Sequence, residues 1–287
     1  MWQVLIIFYF IFGVSSFLLR KLLAQKFGEH IREINSVYYL FFLLPTGIIL
    51  SFIFPHNFNV GLTNLIFLFG GSIIWPISNL VSFHANKKVD VGIFAIITNL
   101  SPLFTLAIAL PFLHEHLTIL QYLGIGLLIF SGVIAAASQL HKHNRANLSG
   151  ILICFLVAII FGVAVTYERF MLNRIDFGTY LFFGWGAQVF WALTFAGKRL
   201  KKLPELFSRN LQTRQLLLFF GATSALRSTS FILALKIGSA SIMNAASDFM
   251  SVAVFIGAYF FLKERDHMIY KWFAVILGVV GLLFIAK

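Results

Sequence analysis

An internal repeat constrains the fold of this sequence more than any other feature. Residues of the first half recur 149 positions later, with the same types at the same spacing. The matched pairs are Ala85 and Ala234, Lys87 and Lys236, Glu115 and Glu264, Gly132 and Gly281, Gly13 and Gly162, and Arg20 and Arg169. One offset that holds over most of the chain indicates the duplication of a unit of about half its length.

The composition predicts that both copies lie in a lipid bilayer. Apolar residues make up 60% of the 287 residues, charged residues make up 11%, and the mean hydropathy is +0.91. Soluble domains contain about 25% charged residues. The net charge of +12 comes from basic residues in short gaps between apolar runs. This distribution is typical of membrane topology, so we expect no nucleic-acid partner.

Ten apolar segments have roughly the 20 residues that a helix needs to cross hydrocarbon. They are residues 2–19, 36–54, 61–83, 91–110, 119–138, 150–166, 179–197, 215–235, 239–262 and 268–286. Five crossings per copy is an odd number, so the second copy enters the membrane upside down, as in many secondary transporters. The sequence therefore predicts an all-α integral membrane protein with ten transmembrane helices as two inverted five-helix repeats, residues 1–140 and 150–287. Channels and membrane enzymes can also be duplicated.

The basic residues also predict the orientation. Sixteen of them lie in connections on one side, among them Arg20, Lys21, Lys26 and Arg32, and four lie on the other side. The positive-inside rule then puts the first connection in the cytoplasm and both termini outside. The compact chain, without a transit peptide, favours a prokaryotic inner membrane.

Several motifs resemble a known transporter repeat. Residues 98–105 (TNLSPLFT) and 113–118 (LHEHLT), followed by Gly124 and Gly132, resemble the end of an EamA-type repeat of the drug/metabolite transporter (DMT) superfamily. Residues 262–265 (LKER) with Gly281, and the opening 12–17 (FGVSSF), are similar. The resemblance implies ten helices, a central cavity between the halves, alternating access and transport of small metabolites.

The chain departs from the family pattern in three ways. His114 and Lys263 stand where the family usually has Gly before the Glu, and Ser251 stands where it tends to have Pro. Family members usually have cytoplasmic termini, whereas the charge count predicts the opposite.

Two opposite charges lie deep inside predicted spans. Arg227 comes nine residues before Lys236 and Asp248 comes nine residues after Ser239, so both lie roughly 13 Å from the same face, near the midplane. Charges at this depth are expensive and are functional by default. Arg227 is suited to a carboxylate and Asp248 to an ammonium, as in an amino acid or a similar zwitterion. An internal ion pair that holds two helices together, or Asp248 as a proton carrier, are the alternatives.

Other polar residues belong to the same predicted site. The repeat offset matches Asp248 with Asn99 and Arg227 with Ser78, which is next to Asn79. Helical spacing puts Asn244 and Ser251 on the face of Asp248, and Trp75 on the face of Asn79. His84 is a further candidate because histidine titrates near physiological pH. The predicted substrate-binding or coupling residues are thus Asp248, Arg227, Asn99, Asn79, Asn244, Ser251, Trp75, Ser78 and His84.

The sequence predicts a secondary active transporter of a small polar metabolite, such as an amino acid or related zwitterion, that works by alternating access. The alternatives are an integral-membrane enzyme or lipid-handling protein, and a channel without a transport cycle. No catalytic residues, metal or cofactor are expected, since no catalytic cluster or metal-ligand spacing is found. The expected partners are a small-molecule substrate and the bilayer; a coupling proton or ion and a homodimer remain open.

Overall fold

The computed structural model describes residues 2–113, 118–140, 145–208, 211–237, 243–244, 247, 250–262 and 268–285. Throughout these ranges the regular structure is helical. The α-helices are α1 Trp2–Lys26, α2 Ile31–Tyr38, α3 Leu44–Ile53, α4 Leu62–Gly71, α5 Ile74–Lys88, α6 Val91–Thr98, α7 Ser101–Leu113, α8 Ile119–Leu140, α9 Arg145–Leu172, α10 Phe177–Thr179, α11 Trp185–Ala196, α12 Leu203–Ser208, α13 Leu211–Ile237, α14 Met250–Phe261 and α15 Met268–Ile285.

Six helical stretches among the described residues are long and apolar enough to cross a membrane. They are Val4–Lys26, Ile31–Ile53, Leu62–Lys88, Val91–Ile108, Leu148–Leu172 and Leu211–Ile237. Two shorter apolar helices, Tyr122–Ile134 and Ile269–Gly281, accompany them. The connection expected at 198–214 is partly helical, since the 3₁₀ helix Gly197–Lys202 leads into α12.

Prolines interrupt two of the membrane-crossing stretches. A proline ring clashes with the carbonyl four residues earlier and leaves it without a donor. Accordingly, α4 ends at Gly71 and the chain turns at Ser72, four residues before Pro76. In the same way α6 ends at Thr98, four residues before Pro102, and Asn99 lies in the break between α6 and α7.

The same four-residue sequence, Tyr-Leu-Phe-Phe, forms a π-helical turn in each half. Tyr39–Leu43 (YLFFL) joins α2 to α3, and Tyr180–Gly184 (YLFFG) joins α10 to α11. Tyr39 and Tyr180 are both fully buried. Single π-helical turns inside α-helices occur frequently at functional sites.

Contacts between helices fix their relative directions. Tyr9 and Ser16 of α1 meet Phe231 and Ser224 of α13, so these two helices are antiparallel. Arg20 meets Asn79 and Gly28 meets Lys87, so α1 and α5 are parallel. The α5 helix is antiparallel to α9, because Trp75 packs on Phe161 and Lys88 lies beside Gly150. The first helices of the two matched copies, α1 and α9, therefore run in opposite directions.

Repeat-related lysines make the same contact in both halves. The Nζ of Lys87 donates to the carbonyl of Gly28 at 3.3 Å, just beyond the end of α1. The Nζ of Lys236 donates to the carbonyl of Leu172 at 3.1 Å, at the end of α9. Each lysine thus ties the third span of its half to a terminal carbonyl of the first, where a cation is favourable.

Arg20 and Lys21, which the charge count assigned to a connection, lie inside α1. Both are buried, with Arg20 only 1% exposed. Lys21 donates to the carbonyls of Asn86 and Val89, which end α5. Their partners come from within the protein, so fourteen of the sixteen basic residues remain for the topology argument.

Candidate functional site

A cavity of about 70 Å³ lies where helices of both halves meet. On this measure a single water needs roughly 10–15 Å³, so the space admits several waters or a small ligand. The polar and aromatic side chains that line it from the first half include Tyr38, Tyr39, Trp75, Asn79, Thr98 and Asn99. Those from the second half include Phe161, Glu168, Trp185, Gln188, Arg227 and Asn244.

One arginine lines this cavity, and a second lies behind its wall. Arg227 of α13 lines it, and its guanidinium carbon lies 5.6 Å from the centre of the Phe17 ring. The guanidinium carbon of Arg20, which is not part of the lining, lies at the same distance from the same ring and 5.4 Å from the Phe83 ring. Aromatic faces attract cations, so these rings stabilise both guanidinium groups.

A chain of hydrogen bonds fixes the position of Arg20. Its Nη2 donates to Oδ1 of Asn79 at 2.8 Å, and Nδ2 of Asn79 donates to the hydroxyl of Tyr39 at 2.7 Å. All three residues are buried. The first π-helical turn therefore sets the position of Asn79, which in turn orients one edge of the guanidinium.

Glu168 supplies an acid to the same cavity. It is 4% exposed, and its Oε1 accepts a hydrogen bond from the hydroxyl of Tyr180 at 2.9 Å. No ion pair joins Glu168 to a base among the residues that the structure describes. Tyr38 also lines the cavity, and its hydroxyl lies 2.9 Å from the hydroxyl of Ser228, the residue after Arg227.

Neutral polar groups complete the lining near the break between α6 and α7. The Nδ2 of Asn244 donates to Oγ1 of Thr105 at 2.6 Å, and its Oδ1 accepts from Ser101 at 3.3 Å. These bonds hold Asn244 against the start of α7. Asn99, in the break itself, also lines the cavity.

Of the nine predicted site residues, five line the cavity, two lie outside its lining, and the side chains of the other two are not among those that the structure describes. Arg227, Asn99, Asn79, Asn244 and Trp75 all line the cavity. Ser78 is buried in α5 but is not part of the lining, and its hydroxyl has no hydrogen-bond partner among the described residues.

His84 lies outside the cavity, exposed, with Nδ1 2.8 Å from the carbonyl of Leu80. It contributes to a separate polar cavity of about 390 Å³ near His30, Arg32 and Arg199. Ser251 belongs to α14, but its side chain is not among those that the structure describes. Asp248 lies outside the described residues, so its pairing with Arg227 stays a prediction.

From the sequence, Glu168 at the end of the sixth apolar run is a candidate gate residue and not a predicted binding residue, and the predicted site also lacks Arg20 and the two buried π-turn tyrosines. Arg20 and Glu168 stand just beyond the apolar runs, where a charged residue usually belongs to a connection. The tyrosines follow a second offset: YLFF recurs after 141 residues instead of 149, because the connections before the two copies differ in length. A search with a variable offset would have found them.

The described residues contain no group of three or more His, Cys, Asp or Glu side chains placed to hold a metal ion. The lining combines the guanidinium of Arg227, the carboxylate of Glu168 and several amides and hydroxyls, which is chemistry suited to reversible binding of a polar molecule.

Comparison with known proteins identifies the repeat unit. The model of the "EamA-like transporter family" matches residues 2–137 and again residues 148–287. A solved structure described only as "Crystal structure of protein" is similar in fold, with a TM-score of 0.59 and 15% sequence identity over 97% of this chain and 98% of that chain. Among curated proteins, none matches the sequence.

Proposed function

Because the chain belongs to the EamA-like transporter family, and is thus a membrane transporter of the DMT superfamily, we propose that it is a secondary carrier of a small polar metabolite. The substrate class is an amino acid or a related zwitterion, moved by alternating access between two inverted halves of five helices each. The carrier acts in a prokaryotic inner membrane.

The observation that carries this proposal is that opposite charges share a cavity without neutralising each other. Arg227 and Glu168 both line it, yet no ion pair joins them among the described residues. A buried charge without a partner costs several kcal/mol, on the order of 3–5 when one member of a buried pair is removed. A zwitterion satisfies both ends at once, its carboxylate on the guanidinium and its ammonium on the carboxylate.

Alternating access is supported by the elements around the cavity. Both halves contribute to the lining, and α1 and α9 run in opposite directions, which is the relation that inverted copies require. The interrupted stretch α6–α7 brings its break to the cavity, as broken helices do in other secondary transporters. The sequence has no phosphate-binding GxxxxGK[ST] motif, so ATP hydrolysis by this chain is not part of the proposal.

Uptake by proteoliposomes tests the proposal. Purified protein is reconstituted and given a labelled panel of amino acids, their decarboxylated amines and their deaminated acids, with and without a pH gradient. The variants are Arg227→Gln, Glu168→Gln and Asp248→Asn. The matched control is Glu33→Gln, since Glu33 is a buried acid of α2 outside this cavity.

We expect saturable uptake of at least one zwitterion, lost in Arg227→Gln and Glu168→Gln and kept in Glu33→Gln. Currents that do not saturate would indicate a channel, and the proposal would be wrong. Normal transport by both Arg227→Gln and Glu168→Gln would equally contradict it.

A further inference from the structure

We propose that Glu168 is the proton-coupling residue of the carrier: each substrate ammonium that binds to its carboxylate displaces one proton from it. The inference rests on the proposed function and deepens it, because it names the coupling ion and the side chain that holds it. From the sequence, the candidate proton carrier is Asp248, which lies outside the described residues.

Glu168 is a buried acid of the cavity without a base of its own. It lines the cavity from α9, it is 4% exposed, and no ion pair joins it to a base among the described residues. An ionised carboxylate in such a place has neither bulk water nor a counter-charge, so the carboxyl group takes up a proton instead. The empty cavity therefore holds Glu168 as a neutral acid.

The hydrogen bond from Tyr180 suits the acid as well as the carboxylate. The Tyr180 hydroxyl donates to Oε1 of Glu168 at 2.9 Å. In the neutral acid, Oε1 is then the carbonyl oxygen and Oε2 carries the proton. Tyr180 is fully buried in the second π-helical turn, so its hydroxyl is held in place. The same bond thus positions the side chain in both protonation states.

The surrounding elements do not provide Glu168 with a counter-charge. Helices α4 to α8 pack against α9, and their described residues contribute no ionisable side chain to the lining. On α9 itself, Tyr167 and Arg169 donate to backbone carbonyls of other helices. The other ionisable side chains of the lining are Tyr9, Tyr38, Tyr39 and Arg227. Of these, only Arg227 is charged at neutral pH, and it forms no ion pair with Glu168 in the described part of the chain.

A substrate ammonium and a proton therefore compete for the same carboxyl group. When the ammonium enters, the O–H bond at Oε2 breaks, the proton passes to water on the open side, and the carboxylate pairs with the ammonium. After the substrate leaves on the other side, the carboxylate takes a proton from water there. Because a buried carboxylate needs one cation or the other, each zwitterion moves in exchange for one proton that moves the opposite way.

Proton release on binding is the first test of the inference. The purified protein in lipid nanodiscs is titrated with the protein amino acids, their decarboxylated amines and their deaminated acids. Calorimetry in buffers of different ionisation enthalpy counts the protons released per bound molecule. The variants are Glu168→Gln, Glu168→Asp and Asp248→Asn. The control is Glu33→Gln, which changes a buried acid outside this cavity.

We expect amines and zwitterions to release about one proton per molecule and deaminated acids to release none. Where Glu168 holds its proton, the affinity for amines falls about tenfold for each unit by which the pH is lowered. Any residual binding to Glu168→Gln releases no proton, whereas Glu168→Asp and Glu33→Gln retain the release. Binding that remains in Asp248→Asn still releases a proton.

Proton flux during transport is the second test. Proteoliposomes enclose a pH-sensitive dye, and potassium with valinomycin holds the membrane potential at zero. Uptake of a zwitterion should make the interior more alkaline by about one proton per molecule, and an acidic interior should drive its accumulation. Glu168→Gln should show neither effect, and Glu168→Asp should show both.

Several results would overturn the inference. These are binding of no amine or zwitterion, binding to the natural protein without proton release, proton release that persists in Glu168→Gln, and its loss from the binding that remains in Asp248→Asn. If a zwitterion enters saturably without any proton flux, the coupling role of Glu168 is wrong but the carrier function stands. If no compound enters at all, the carrier function itself has failed.

Discussion

The burial of individual charged side chains is energetically unfavourable, and this protein buries several of them. Arg20 and Glu168 lie in helices that continue into the bilayer, and both are almost completely buried. Charges at such depth are rare in transmembrane segments, and they mark substrate or ion pathways. Here the base donates a hydrogen bond to the neutral Asn79 of α5, and the acid accepts one from the hydroxyl of Tyr180 in the second π-helical turn.

The Tyr180 hydroxyl gives the first test at this scale. Tyr180→Phe removes the donor to Glu168, and hydrogen bonds to charged groups are worth about 1.5–3 kcal/mol. We expect the KM for amine-bearing substrates to change about tenfold or more, with little change for their deaminated analogues. Tyr122→Phe, an exposed tyrosine of α8, is the control. An equal effect on both substrate classes would mean that the bond is only structural.

Asn79 allows a second test, by giving Arg20 a counter-ion. Asn79→Asp places a carboxylate at the position of the amide, where it accepts from Arg20 and forms a buried ion pair. The variant should fold as well as the natural protein and take up acid-bearing substrates about tenfold less well or worse, because Asn79 lines the cavity and a carboxylate there repels a second anion. Asn57→Asp, on an exposed loop, should change nothing in the same uptake assay. Unchanged uptake of acids by Asn79→Asp would contradict a substrate site at this part of the cavity wall.

At the scale of helices, apolar runs predict where a span lies better than where it ends. The run at 2–19 becomes α1 Trp2–Lys26, and the run at 150–166 becomes α9 Arg145–Leu172. Both helices continue because Arg20, Lys21 and Glu168 find partners on other helices. Those partners are distant in sequence, so a window of local hydropathy does not contain the information. The proline breaks, by contrast, follow from local chemistry.

Close helix contacts give a stability test. A Cβ on Gly162 of α9 would lie 2.6 Å from Cβ of Phe104, 2.8 Å from N of Thr105 and 2.9 Å from O of Ser101. Backbone atoms of α7 cannot move aside cheaply, so Gly162→Ala should destabilise the protein by about 1–3 kcal/mol. The measurement is the thermal unfolding midpoint in detergent.

Gly186 of α11 is the matched control for that experiment, because a Cβ there meets nothing within 4 Å. Gly186→Ala should be neutral or stabilising by up to about 1 kcal/mol, since alanine is the better helix former. Equal melting midpoints for the two variants would show that α7 and α9 are not packed this closely.

For the whole molecule, the repeat and the hydropathy predicted the membrane class, the resemblance of several motifs predicted the family, and five predicted site residues line one cavity. The orientation in the bilayer remains a prediction. It is argued from the basic residues of the connections, and Arg20 and Lys21 no longer contribute to it, since they lie inside α1. The position of Glu168 in the cavity depends on how the two copies meet, which no single copy encodes.

Cysteine labelling tests the orientation. Asn57→Cys and Lys201→Cys put single thiols on exposed positions, and the native Cys154 is buried and will not react with an impermeant maleimide. We expect position 57 to be labelled from outside intact cells and position 201 only after the membrane is opened. The reverse pattern would put both termini in the cytoplasm, as is usual in the family.

The two YLFF turns bear on the orientation of a bound substrate. Two identical copies that face each other would present the same chemistry from both sides. A bound molecule would then have no preferred orientation. In this chain the hydroxyl of Tyr39 accepts a hydrogen bond from Asn79, while that of Tyr180 donates one to Glu168. A tyrosine hydroxyl can either accept or donate a hydrogen bond. The two π-helical turns therefore keep the same sequence but take opposite hydrogen-bonding roles, so the two ends of a bound molecule meet different chemistry.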